Sequence, residues 1–581
     1  MKLNWNKPFW ISLQAGFLLL VFLAPTWGAP GFIRSQAIAS AHPLATEAGK
    51  KILRQGGNAF DAAVAVSAAL AVVEPYSSGL GGGGLWLLHR ARDKWEVLID
   101  GRETAPGKAS PDMYLDAKGK PVTASSLNGP LAAAIPGVPA GLVHIAKNYG
   151  RLSLAHSLAP AIALARNGFR VDRRFSEMAR NYQGKLRADP HVAGIFLHDN
   201  LVPVPGSILL QPRLAATLTE IARHGEDGFY RGWVADEMVQ SVKRAGGIWE
   251  HEDLTHYRVI ERAPARFTYR DSIITTAPLP SSGALTLAQG LNILENFSLV
   301  QLNEIDRIHL IAEALRRAYQ DRAEYLGDSD FINVPTEKLM SKDYGRERAT
   351  TINLNRVVPD TEPDNNSTAR AGGTETTHFS IMDREGNRVA ATLSINTNFG
   401  SGFIAGNTGV LLNNEMDDFS IAPGVPNVYG LQGKQANAIW PGKRPLSSMA
   451  PTFVENKKGI LIVGTPGGSR IISMVLLAIV NFVDDKQIDP GAIVRNPRFH
   501  HQYLPNQIEV EPDSFHDEQI SGLRLKGHQV RIAAQKWGNM QLVFFNKETH
   551  RSFIANDPRG VTTVAPLARQ SNWRSNAAGD R

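Results

Sequence analysis

The amino-acid sequence predicts a mixed α/β fold, and three observations carry that expectation. Helical periodicity recurs at 44–74, 155–167, 213–224 and 305–327. After about residue 370 the pattern changes to short apolar or alternating runs bounded by Gly, Pro and Asn. Hydrophobic residues make up 43% of the 581 and charged residues 20%, the balance of a globular chain with a sizeable core, in several domains or one large one.

The chain opens "MKLNWNKPFWISLQAGFLLLVFLAPTWGAPG". Lys2 and Lys7 precede an uninterrupted apolar run from Ala15 to Ala24, and the small residues Gly28 and Ala29 follow. This is the pattern of a secretory signal peptide over residues 1–29 and predicts a periplasmic or secreted protein. The run is short for a bilayer span, so no stable membrane insertion is expected once it is removed. A retained anchor is the alternative reading, because Phe9 to Leu13 extends the apolar stretch. No cysteine is present, which excludes disulfides, thiolate nucleophiles and cysteine zinc sites. The net charge of +7 is dispersed, with no basic run interleaved with aromatics, which argues against nucleic-acid binding.

Residues 44–74 predict two helices broken at Gly56-Gly57, the second apolar nearly all round and therefore buried. "GLGGGG", Gly79 to Gly84, matches GxGxxG but has no strand before it and the strand-like "LWLLH" after it. A tight turn where backbone packs on backbone fits better than a phosphate loop. "HEDLTH" has the wrong spacing for a zinc-binding HExxH and predicts the start of a surface helix. Residues 355–373 are polar, contain Pro and end in Gly, the composition of an exposed linker. A hairpin follows: Phe379 and Ile381 alternate with polar residues, "DREGN" turns the chain, and Val389, Ala391, Leu393 and Ile395 alternate on the return. "GVLLNN", "APTFVEN", "GILIVGTPGG" and "QIEVEP" predict further strands, and a final α/β section closes the chain. His500 and His501 in "RFHH" lack a nearby carboxylate and are expected to be structural.

Several segments carry chemistry. Thr374, Thr376 and Thr377 cluster at the start of the hairpin, where β-branched residues also suit a strand edge. "LLNNEMDDFS" holds Glu415, Asp417 and Asp418 without histidine or EF-hand spacing, so a cationic ligand group competes with a metal as their partner. "RPLSSMAPT" places Ser447 and Ser448 beside Arg444. "GTPGGSR" sets Gly467-Gly468 after an apolar strand, where adjacent backbone N–H groups can form an oxyanion site.

In this order, these segments resemble the γ-glutamyltranspeptidase family of N-terminal-nucleophile hydrolases. The resemblance runs from about Ile33 to Pro566 through "DGRETAP", "TTHFS", "NTNFGSGF", "LLNNEMDDFS", "PGVPNVYGL", "RPLSSMAPT", "GTPGGSRI" and "DPRG". It implies a four-layer αββα sandwich built from two fragments of one precursor. It also implies a γ-glutamyltransferase/glutathione hydrolase that needs no metal and no cofactor.

The family nucleophile falls on Thr376. A threonine hydroxyl needs a base, and the free α-amine of an N-terminal threonine, with a pKa of about 7.7–8.0, is one. Thr376 is internal, so the Glu375–Thr376 bond is expected to be cut by the chain itself. That gives a large subunit, 30–375, and a small subunit, 376–581, held together as a heterodimer. The resemblance further implies that Arg102 holds the substrate α-carboxylate with help from Ser447 and Ser448. Glu415, Asp418 and Asn396 meet the α-ammonium, and Gly467 and Gly468 supply the oxyanion hole. Ser394 stands where some relatives carry Thr and keeps the hydroxyl near the nucleophile. Glu415 stands where bacterial relatives often carry Gln. Phe419 to Asn437 resembles a lid loop, with Tyr429 as gate. The partners implied are γ-glutamyl amides as donors and water, amino acids or peptides as acceptors. A glutaryl-amide acylase of the same fold and an unprocessed periplasmic amino-acid-binding protein are the alternatives.

Overall fold

Asn58 sets the start of the first buried helix. Its side chain accepts from the N–H groups of Phe60 and Asp61, while Asp61 accepts from the N–H of Asn58, a closed capping box. The computed structural model describes residues 36–359, 375–485 and 488–561. The leader at 1–29, Thr374 and most of the 355–373 segment lie outside the described residues. Helix α1 (Pro43–Arg54) is amphipathic, and α2 (Ala59–Val73) is buried at every position, as its Ala- and Val-rich sequence requires. The break between them falls at Gly56-Gly57, with Gly56 at φ +93°.

Two antiparallel six-stranded sheets form the centre. The strands before the expected cut are β1 (Ala37–Ser40), β2 (Gly83–Arg90), β3 (Trp95–Gly101), β4 (Ile260–Arg262), β5 (Ala265–Tyr269) and β6 (Ser272–Thr276). After it come β7 (Thr377–Met382), β8 (Arg388–Ser394), β9 (Thr452–Glu455), β10 (Gly459–Gly464), β11 (Gln541–Asn546) and β12 (Arg551–Asn556). The first sheet runs β1-β7-β8-β2-β3-β4 and the second β12-β11-β10-β9-β6-β5, so each draws strands from both halves of the chain.

Side-chain alternation defines the layers. Trp86 and Leu88 of β2 point into a core shared with α1, α2, α3 (Val138–Asn148) and α4 (Leu154–Asn167). Leu85 and Leu87 point the other way, into a core shared with the second sheet and with α5 (Gly283–Leu294), α6 (Glu304–Tyr325) and α7 (Arg470–Asp484). The result is helix, sheet, sheet, helix, the four-layer αββα arrangement expected.

The hairpin differs from a half-solvated one. Every residue of β7 and β8 is buried, polar positions included. The polar face lies between the sheets. His378 bonds Thr392 Oγ1 at 2.8 Å and Ser380 Oγ at 3.2 Å, and Ser380 Oγ donates to the Gln541 carbonyl in the second sheet at 2.9 Å. "GVLLNN" is not a strand either: Leu411 and Leu412 form only isolated bridges. The Asn413 amide takes over the pairing, donating to the carbonyls of Gly81 and Ala134 at 2.7 Å and accepting from the N–H of Ala134 and Glu415. "GLGGGG" is a close-packed turn: a Cβ at Gly81 or Gly82 would overlap the carbonyls of Leu411 or Ser394. "HEDLTH" forms a short surface helix, His251–His256.

Candidate active site

Thr376 immediately precedes β7, with φ +87°. For a β-branched residue this is a sterically costly conformation, of the kind that persists where surrounding structure holds it. Thr376 Oγ1 lies 3.2 Å from Ser394 Oγ at the end of β8, and Ser394 Oγ also accepts the Asn396 N–H at 2.8 Å. On the other side, the Glu375 carbonyl accepts the Gly467 N–H at 3.2 Å. Gly467 and Gly468, at φ +144° and +54°, form the turn between β10 and α7. The donor therefore sits near the N-terminus of a 15-residue helix, whose dipole favours negative charge there. Thr377 is committed elsewhere: its hydroxyl donates to Glu74 Oε2 at 2.7 Å, and burial raises the Glu74 pKa.

A small cavity of about 20 Å³ opens beside Thr376. Arg102, Ser394, Asn396, Glu415, Asp418, Tyr429, Ser447, Ser448 and Gly468 line it together with Thr376. All the candidate residues except Gly467 and Glu375 thus meet at one cavity, and those two join it through the Glu375 carbonyl bond. At this volume it holds about one water molecule.

Electrostatics at the far end centre on Arg102, which ends the run from β3. Its guanidinium pairs with Glu415, with Asp418 at 2.5 Å and with Glu103 at 3.3 Å, and its Nε donates to the Pro445 carbonyl at 3.1 Å. Burial works against the Arg102 charge, but Glu415, Glu103 and Asp418 more than offset it and raise its pKa. Burial pushes Glu103 up to about 7, with Arg102 opposing. Burial and the Glu103 charge together push Glu415 upward. Three carboxylates thus share one guanidinium, and Glu415 Oε2 and Glu103 Oε1 are buried with no hydrogen-bond donor among the described residues. Such a cluster is short of positive charge and of hydrogen-bond donors.

Sequence reasoning missed Glu103, although it stands next to Arg102 in "DGRETAP". It also missed Arg322 of α6, buried among ordinary helical arginines, which donates to Ser282 Oγ at 3.0 Å and Ser448 Oγ at 3.3 Å. No motif marks Arg322; only the approach of α6 to the "RPLSSM" segment reveals it. Ser447 Oγ accepts the Met449 N–H at 3.0 Å.

The 419–437 loop lies over the cavity. The Tyr429 hydroxyl donates to the Asn396 carbonyl at 2.9 Å, and a Cβ at Gly468 would overlap the Tyr429 ring. The loop is pinned by the Val428 N–H donating to Asp417 Oδ2 at 2.9 Å and by Asn437 Nδ2 donating to the Asp418 carbonyl at 2.7 Å. Burial pushes Asp417 up to about 7.

Comparison with known proteins agrees with this geometry. The family model described as Gamma-glutamyltranspeptidase matches residues 45–567. A protein named glutathione hydrolase proenzyme from Escherichia coli (strain K12) is 41% identical over 528 residues, covering 90% of each chain. The crystal structure of a cephalosporin acylase from Bacillus halodurans superposes with a TM-score of 0.79 at 27% identity, covering 94% of this chain and 98% of that one. The crystal structure of Helicobacter pylori γ-glutamyltranspeptidase matches at 38% identity with a TM-score of 0.54, covering 59% of this chain and 98% of that one. With that family model spanning most of its length and a relative 41% identical over 90% of each chain, the chain belongs to the γ-glutamyltranspeptidase family.

Proposed function

We propose that this protein is a γ-glutamyltransferase and glutathione hydrolase that matures by cutting its own Glu375–Thr376 bond. One observation carries the reading: the Glu375 carbonyl rests on the Gly467 N–H, and the next residue, Thr376, is strained and holds its hydroxyl 3.2 Å from Ser394 Oγ. Attack by Thr376 Oγ on the Glu375 carbonyl carbon puts negative charge on an oxygen that already has its donor. One such donor lowers a barrier by about 2.7–4 kcal/mol. The C–N bond then breaks, leaving an ester on Oγ and a free α-amine. Water hydrolyses the ester, which returns the hydroxyl and gives Glu375 a terminal carboxylate. The large subunit would comprise 30–375 and the small subunit 376–581, after loss of a 1–29 signal peptide in a periplasmic or secreted protein. No helix among the described residues is long and apolar enough to cross a membrane.

In turnover the α-amine of Thr376 takes the hydroxyl proton, Oγ attacks the γ-carbonyl of the donor, and the same amine protonates the departing nitrogen. Gly467 and Gly468 hold the oxyanion. The γ-glutamyl ester then passes to water or to an acceptor amine. Arg102, Ser447 and Ser448 orient the α-carboxylate, with Arg322 supporting Ser448. The α-ammonium supplies the cation and the donors that the Glu415, Asp418 and Glu103 cluster lacks, and Asn396 borders the same end. Tyr429, which lines the cavity and is held by its bond to the Asn396 carbonyl, is the residue expected to move as a substrate enters.

Intact-mass analysis and N-terminal sequencing test the reading: the small fragment is expected to begin Thr376-Thr377-His378-Phe379. Thr376→Ala is expected to remain one full-length chain; a Thr376→Ala protein that still splits overturns the assignment. The likeness to a cephalosporin acylase supports a second reading, hydrolysis of glutaryl-type amides, which lack the ammonium. The carboxylate cluster disfavours it. Faster release from a glutaryl anilide than from a γ-glutamyl anilide would reverse that order. An unprocessed binding protein would show a single band and release no chromophore from either.

A further inference from the structure

The Glu375 side chain does not line the cavity around Arg102 and fills a buried place of its own next to it. Its side chain is buried, and Asn398 Nδ2 donates to Glu375 Oε1 at 3.3 Å and to the Tyr182 hydroxyl at 3.1 Å. Lys185, from the short helix Gln183–Ala188, is half-buried nearby and shares Asn398 as a neighbour. Its ammonium donates to Thr397 Oγ1 at 3.2 Å and to the carbonyls of Gly400 at 2.7 Å and Asn398 at 3.4 Å, all neutral oxygens. After burial itself, the Glu375 carboxylate is the strongest electrostatic influence on Tyr182, Lys185 and Tyr429 alike. Asn398 is 2% exposed, and its Oδ1 accepts no hydrogen bond among the described residues.

The chemistry of the reaction gives this recess a second use. Glu375 is bonded to the nitrogen of Thr376, the atom that becomes the general acid and base after the cut. An amine leaving the donor must take its proton from that nitrogen, and an acceptor amine must deliver its proton there. Both therefore approach through the volume that Glu375 vacates. The charge also fits: once Glu375 is gone, Lys185 has lost its foremost negative neighbour, and a half-buried ammonium facing neutral oxygens favours an anion in its place.

We propose that the vacated Glu375 recess is the subsite for the amine partner of the reaction, the departing dipeptide and the incoming dipeptide acceptor. Lys185 attracts its terminal carboxylate and Asn398 Oδ1 accepts from one of its N–H groups. This deepens the preceding reading and rests on it. It makes Lys185 and Asn398 determinants of acceptor choice, set apart from the Arg102 cluster that chooses the donor.

The test uses the processed enzyme at pH 7, a γ-glutamyl anilide donor, and two acceptors differing only in terminal charge, glycylglycine and glycylglycinamide. The wild-type enzyme is expected to use glycylglycine with a transfer kcat/KM about tenfold higher, the scale of one charge-assisted hydrogen bond. Lys185→Gln is expected to bring the two acceptors to within about twofold, and Lys185→Arg to restore the preference. A wild-type ratio near one, or a preference that survives Lys185→Gln, overturns the proposal. If Lys185→Gln does not fold, the wild-type ratio decides alone. A wild-type chain that never yields the small fragment would instead sink the self-cleavage reading, and a denaturing gel separates the two failures.

Discussion

Ser394 shows how much one hydroxyl carries at this site. Its Oγ, itself buried, stands between Thr376 Oγ1 and the Asn396 N–H. Ser394→Ala would leave the buried Asn396 N–H without its acceptor, at a cost of about 1–3 kcal/mol, and would leave the Thr376 hydroxyl without this neighbour. The small fragment is expected to appear at least about tenfold more slowly, with kcat for a γ-glutamyl anilide falling in parallel. Ser394→Thr, which keeps the hydroxyl, is expected to stay near wild type in both. The measurement is a time course on a denaturing gel beside an anilide assay; an unchanged rate in Ser394→Ala would remove this residue from the chemistry. Ser394, at the end of β8, was legible only through the family resemblance of the segments around it. Glu103, Lys185 and Arg322 were not. Glu103 was passed over beside Arg102 in a recognised segment, while Lys185 and Arg322 sit in ordinary helical contexts and meet Thr397 and Ser448 only through the fold.

At the scale of the element, the 419–437 loop hangs on one carboxylate. Asp417 accepts from the Val428 N–H on the loop and, through Oδ1, from Ser126 Oγ at 2.7 Å. Burial raises its pKa from 3.8 to about 7, and the Asp418 charge adds to the rise, while the Val428 and Ser126 hydrogen bonds and the Lys185 charge oppose it. Between those two values the folded chain holds a proton that the unfolded chain has released. The stability contributed by this group is therefore complete below about pH 4 and is lost as pH rises through about 7. Asp417→Asn keeps an acceptor for Val428, can donate to Ser126 Oγ, and removes the charge. Its apparent melting temperature is expected to exceed wild type by a few degrees at pH 9 and by clearly less at pH 5, where most of the contribution of the protonated carboxyl is still present. An Asp417→Asn protein that loses stability equally at both pH values would show that hydrogen-bond geometry, not charge, governs the anchor. The elements themselves divide along similar lines. The helices at 44–74, 155–167, 213–224 and 305–327 could be read from local periodicity, which depends only on near neighbours. The burial of His378, Ser380 and Thr392 could not, because it depends on a second sheet whose carbonyls receive the Ser380 hydroxyl. "GVLLNN" looked like a strand, yet Asn413 replaces the backbone ladder there with its own amide.

Across the whole molecule, the proposed cut severs the chain at its centre without separating anything. β7 and β8 lie inside the first sheet, with β7 hydrogen-bonded to β1 from Ala37↔Met382 to Ser40↔Phe379 and β8 to β2 from Arg388↔His89 to Ser394↔Gly83. The second sheet repeats the arrangement from the other side, with β9 paired to β6. Both large hydrophobic cores mix residues from before and after Thr376: Trp86 and Leu88 with Phe379 and Ile381 in one, Leu291 and Leu315 with Val463 and Ile479 in the other. A contact made of two shared sheets and two shared cores has the character of an obligate interface, resembling a domain core cut in two. Cutting one peptide bond removes none of that burial. The processed protein is therefore expected to run as two bands on a denaturing gel, to elute as one particle in gel filtration, and to unfold in one transition followed by circular dichroism. Residues 376–581 expressed alone would expose both edges of the β7–β8 pair, unpaired and largely apolar, and are expected to aggregate. Two separate melting transitions, or a soluble, folded small fragment, would mean that the halves are independent domains and that the shared sheets do not hold them together.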